Sequence, residues 1–96
     1  MDFQTLKGNM DEVFERILDK TNHGEQPELK DAQEFVRLCR LLHMQASEEW
    51  AAEAEDFAHL AEKFLQVLKE DDLQESVVIV ESLDAAKDYC HRMFSL

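Results

Sequence analysis

Leu83-Asp84-Ala85-Ala86-Lys87-Asp88-Tyr89-Cys90-His91-Arg92-Met93-Phe94 carries apolar or small side chains at Leu83, Ala86, Cys90 and Phe94. Steps of three and four residues put these on one stripe of an α-helix. The stretch also sets a cysteine beside a histidine, with His91 five residues before Leu96. Working backwards, the stripe continues through Val80 to Leu73. The run Val77-Val78-Ile79-Val80 has strand propensity, but a lone strand among helices has nothing to pair with, so the segment is expected to be helical throughout.

Three earlier segments show the same periodicity. In the first, Phe3, Leu6, Met10, Val13, Phe14, Ile17 and Thr21 share a stripe, Asp2 is placed to cap the start, and Asn22-His23-Gly24 is placed to end it. Gly8 lies inside and costs about 1 kcal/mol relative to alanine. The second follows Pro27, expected in its first turn, with Ala32, Phe35, Val36, Cys39, Leu42, His43 and Ala46 inward. Leu38, Leu41 and Met44 fall off that stripe and are expected on flanking or outer faces. The third is expected to start at Ser47 as N-cap, with Glu48 and Glu49 at the positive end of its dipole. Its inward stripe is Trp50, Ala54, Phe57, Ala61, Phe64 and Leu68. The last join, Asp72-Leu73-Gln74-Glu75, reads as a capping box with Asp as the cap. Four such helices with short joins predict an all-α, up-down-up-down antiparallel four-helix bundle, a single domain over residues 1–96.

Composition agrees and narrows the function. The chain has 45% hydrophobic residues, two Gly and one Pro, which suits a helical globular domain. A formal net charge of −12 argues against nucleic acid and anionic membrane surfaces as partners, since both reward positive charge. A basic protein or a second copy of the chain remains as a partner class. No apolar run approaches the roughly 18 residues of a membrane span, and the start is acidic and amphipathic, so the cytoplasm is the default expectation. Cys39 and Cys90 are accordingly expected to be thiols.

Antiparallel order brings the start of the first helix, the end of the second, the start of the third and the end of the fourth to one end of the bundle. Met10, Cys39, His43, Trp50, Cys90, His91 and Met93 are therefore expected to crowd there, and His23 and His59 to lie elsewhere. Sulfur and imidazole ligate haem iron and soft metals. Cys39 and His43, four apart on one stripe, have the spacing of a two-ligand helical clip. The same residues are also ordinary core sulfurs and a histidine favoured by the helix dipole.

The Cys90-His91 ending, the acidic turn Asp71-Asp72 one helix earlier, and the opening Leu6-Lys7-Gly8-Asn9-Met10-Asp11 resemble the cytochrome c-prime superfamily, including its soluble b-type member. The ending is also similar to a group named for an x-x-x-Cys-His terminus that lacks the first haem-attaching cysteine. The resemblance implies Met10 and His91 as the positions matching axial iron ligands, and Cys90 as the remaining attachment position. Lys87 stands where the family's first cysteine would be, which argues against covalent haem and leaves non-covalent haem, with Lys7, Lys87 and Arg92 as cations near the propionates. A fainter likeness of Gln4-Thr5-Leu6-Lys7-Gly8 to histidine phosphotransfer bundles fails because Gln4 replaces the phosphorylatable histidine.

No phosphate loop, nucleophile elbow, paired zinc motif or Glu-x-x-His di-iron signature is present, so a non-enzymatic role is expected. Three readings follow, the first from the resemblance and the others from the residues. One is a haem-binding bundle using His91 and Met10. Another is a cofactor-free interaction module whose ligand end is filled by Trp50, Phe94 and the sulfur side chains, leaving no cavity for a macrocycle, with Leu38, Leu41 and Met44 as contact surface. The third is a soft-metal bundle using Cys39, His43, Cys90 and His91.

Overall fold

Capping chemistry divides the chain into four helices. The computed structural model describes residues 1–94, with α1 at Phe3–Asn22, α2 at Leu29–Gln45, α3 at Ala51–Lys69 and α4 at Leu73–Phe94. Asp2 opens α1: its Oδ1 accepts from the Thr5 amide at 3.0 Å and its Oδ2 from the Thr5 hydroxyl at 2.9 Å. These bonds hold the Asp2 carboxyl below its ordinary range. The helix closes in a Schellman motif. Gly24 takes φ +71°, its amide donates to Thr21 O at 3.1 Å, and the Glu25 amide donates to Lys20 O at 2.9 Å.

The join between α3 and α4 uses two residues for two tasks. Asp71, at φ 59°, closes α3 by donating its amide to Leu68 O at 3.0 Å. Asp72 then caps α4, its Oδ1 accepting from the Glu75 amide at 3.1 Å, which is the forward half of the expected capping box. The β-branched run stays helical as expected, because Ile79 and Val80 are buried against the core at 3% and 1% exposure. Packing has overridden propensity.

Cross-helix contacts fix the directions. Gln45, ending α2, donates to Met1 O at 2.8 Å, and Arg16 of α1 donates to Asp31 near the start of α2 at 3.2 Å. Arg40 of α2 meets Glu62 of α3 at 3.0 Å, and Lys87 of α4 reaches Asp11 of α1 at 3.9 Å. Each pair runs antiparallel. Packing joins α1 to α2, α2 to α3, α3 to α4 and, least extensively, α4 back to α1. The 22 residues of α4 span about 33 Å at the α-helical rise, nearly the full 35 Å length of the bundle. No described helix is long and apolar enough to cross a membrane.

Three expectations about the elements are corrected. α3 begins at Ala51, not after Ser47: residues 48–50 form a turn in which the Trp50 amide donates to Ser47 O at 3.1 Å. Trp50, at φ −133° and ψ 18°, packs its ring 6.0 Å from that of Phe3, a tertiary contact that outweighs the capping preference of Ser47. Pro27 precedes the Glu28 cap of α2 and is buried there. Leu38 is fully buried at 0% exposure, since α2 packs against helices on two sides and its apolar arc is broader than one stripe.

Candidate functional site

The inward stripes do not fill the bundle evenly. At the end shared by the start of α1 and the end of α4, a small cleft of about 70 Å³ remains, partly open to solvent. Aromatic rings make its floor. Phe14 stacks on Phe35 at 5.2 Å between centroids, and Phe35 meets Phe57 edge-on at 5.9 Å. Phe3 and Trp50 stand together at one side, and Leu42 contributes from α2. Water is a poor occupant of such a surface, so an apolar guest gains by replacing it.

Met10, Cys90 and His91 all line this cleft. Met10 is partly buried and packs against the core cluster; His91 and Cys90 are half-buried on the last turns of α4. Chiefly burial, and secondly the Glu53 carboxylate facing it, push the Cys90 thiol above its ordinary value. That thiol is held protonated and is a weak nucleophile at neutral pH.

Polar groups gather at the edge of the cleft. Lys87 Nζ lies 5.6 Å from the Phe14 ring centroid and 3.9 Å from Asp11 Oδ1. Lys7 and Glu53 complete the charged lining. Arg92, expected near the same end, is exposed and does not line the cleft.

The other sulfur and imidazole candidates are not brought in. Cys39 is 1% exposed inside the core, where burial drives its thiol far above the ordinary range and disfavours the thiolate a metal requires. His43 turns outward, with Nε2 4.0 Å from Glu55 Oε2. Met93 is 58% exposed on the outer face of α4. Among the described residues no group of three or more His, Cys, Asp and Glu side chains could hold a metal ion. The soft-metal set of Cys39, His43, Cys90 and His91 is therefore corrected: the first is enclosed and the second points away. His23 and His59 lie outside the cleft, as the antiparallel order implies.

Of the residues expected to fill the ligand end, Trp50 lines the cleft beside Phe3 and Phe94 does not line it. Sequence reasoning missed the floor. Phe14 lies one turn below Met10 on the same stripe, Phe35 one turn deeper than Cys39 and Phe57 two turns deeper than Trp50 on theirs, so the depth argument that gathered the sulfurs contained the signal for the aromatic rings. Comparison with family models, with characterised proteins and with solved structures returns no match.

Proposed function

We propose that the chain is a small non-enzymatic ligand-binding bundle of cytochrome c-prime kind, whose cleft takes haem without a covalent bond. His91 and Met10 are the residues that would hold its iron. The observation that carries this reading is a single apolar cleft to which α1 contributes a thioether and α4 an imidazole. The donor chemistry suits the group: sulfur and nitrogen ligands for iron, aromatic side chains for a planar macrocycle, and Lys7 and Lys87 for its acidic edge; the resting cleft of about 70 Å³ has to widen to admit it. Bound haem would supply a redox-active iron, used for sensing or electron transfer. The chain's own residues would orient such a guest against the aromatic lining and exclude water from it. With Lys87 in place of a second cysteine, the usual pair of thioether bonds cannot form.

Hemin titration of the purified protein, followed in the Soret region, tests the reading. A saturable one-to-one shift is expected, altered in position by His91→Ala and, more modestly, by Met10→Leu. No shift, or one identical in the His91→Ala variant, removes His91 as a ligand.

A further inference from the structure

Lys87 is one of four charged residues, with Lys7, Asp11 and Glu53, at the edge of a mostly apolar cleft. Its side chain is 31% exposed, against 53% for Asp11, and the 3.9 Å between them is beyond hydrogen-bond length. The ammonium thus lies over the Phe14 ring with no short bond to its nominal partner. A cleft built for a neutral hydrocarbon has no use for this charge, because desolvating an ammonium beside aromatic rings is costly unless an anion completes the site. Lys7, on the facing helix, supplies a second positive charge to the same cleft. Both are unusual placements in a chain of net charge −12.

We infer that the cleft selects an apolar molecule bearing a carboxylate, whose head accepts hydrogen bonds from Lys87 Nζ while its body lies against the half-buried Phe3, Met10 and Trp50. Asp11 and Glu53 also line the cleft and would suit a cationic head; the ammonium sits above a buried ring whereas the Asp11 carboxylate is more than half exposed, and Glu53, half-buried like Lys87, makes the direct comparison of an acid with an ammonium the deciding one. A carboxylate arriving at Lys87 forms a charge-assisted bond of ordinary length, which the existing ion pair does not provide. The inference rests on the cleft being a ligand site and is independent of iron ligation.

Trp50 is the only tryptophan in the chain and lines the cleft, so its emission reports occupancy without a label. The protein is titrated with dodecanoate, 1-dodecanol and dodecyltrimethylammonium, each kept below its aggregation threshold. Dodecanoate is expected to shift the emission saturably and to bind about tenfold or more tightly than the alcohol. Lys87→Gln should abolish that preference and Lys87→Arg should retain it, whereas Lys63→Gln, at an exposed cation outside the cleft, should leave it unchanged. Equal binding of acid and alcohol, tighter binding of the ammonium, absence of any shift, or a preference surviving in Lys87→Gln overturns the inference. The acid-to-alcohol comparison in the unaltered protein decides even if a variant folds poorly. A retained carboxylate preference alongside a failed hemin titration would remove iron ligation alone, and the reverse pattern would remove only the carboxylate rule.

Discussion

Replacing Ser76 by alanine should make the protein more stable. Ser76 is 0% exposed, and its hydroxyl has no hydrogen-bond partner among the described residues. Its amide already serves the helix by donating to Asp72 O at 2.9 Å, so only the side-chain oxygen is at issue. An unsatisfied buried hydroxyl carries a desolvation cost of roughly 1–3 kcal/mol, and alanine is the better helix former by up to about 0.7 kcal/mol. Against this stands the lost dispersion of one oxygen atom, a few contacts of about 0.1–0.2 kcal/mol each. The net expectation is a gain of about 1–2 kcal/mol, set against a total of roughly 5–14 kcal/mol for a chain of this length. At about 4–8 °C per kcal/mol for a domain of this size, the melting midpoint should rise by about 4–16 °C. Thermal and urea unfolding followed by far-UV circular dichroism would measure it, with an unchanged urea slope. Ser82→Ala is the control: that hydroxyl is exposed and donates to Val78 O at 3.2 Å, and its removal should stay within about 0.5 kcal/mol. A loss of 1 kcal/mol or more in Ser76→Ala would refute the reasoning, because it would mean the hydroxyl is satisfied. Ser76 lies in the first turns of α4, at the far end from the cleft, so the stabilised variant also serves as a background for cleft mutations.

Asp72→Ala should cost about 1 kcal/mol by removing the α4 cap, and Asp72→Ser should recover most of it, both read from urea midpoints. Gly24→Ala should destabilise by about 1 kcal/mol, since nothing crowds a Cβ there but the backbone is left-handed at φ +71°. Asp71→Gly, at the equivalent place after α3, should gain a few tenths of a kcal/mol for the same reason with the opposite sign. In the native protein a disulfide reagent should modify Cys90 and leave Cys39 untouched until unfolding. Because the thiolate is the reacting form and the Cys90 thiol is pushed up by burial and by Glu53, its rate should still be climbing above the pH at which an ordinary thiol levels off. Glu53→Gln should move that profile toward lower pH, and a bound cleft ligand should slow the reaction at every pH.

The four helices and their alternation were legible because every segment repeats its apolar residues at helical spacing and most of the joins carry a residue suited to ending or starting a helix. Asp2, Gly24 and Asp72 act where local chemistry alone predicts. Ser47 does not, because the deciding interaction is between Trp50 and Phe3, two residues 47 positions apart, and capping rules see only neighbours. Leu38 was misjudged for a related reason: a stripe describes contact with one neighbour, and α2 has two. In the cleft, depth along antiparallel helices brought Met10, Trp50, Cys90 and His91 together correctly but could not say which way Cys39, His43 and Met93 turn. Rotation about a helix axis of one residue, about 100°, separates a side chain in the cleft from one in the core or on the surface.

The seam between α1 and α4 joins the segments farthest apart in the chain and has the least packing of the four. Closing the longest loop is entropically the most demanding step, and a lightly packed contact is the first to open. Parting that seam widens the cleft without unwinding a helix or disturbing the aromatic floor, most of which belongs to α2 and α3. A rigid guest too broad for the resting aperture thus has a route that leaves three quarters of the scaffold standing.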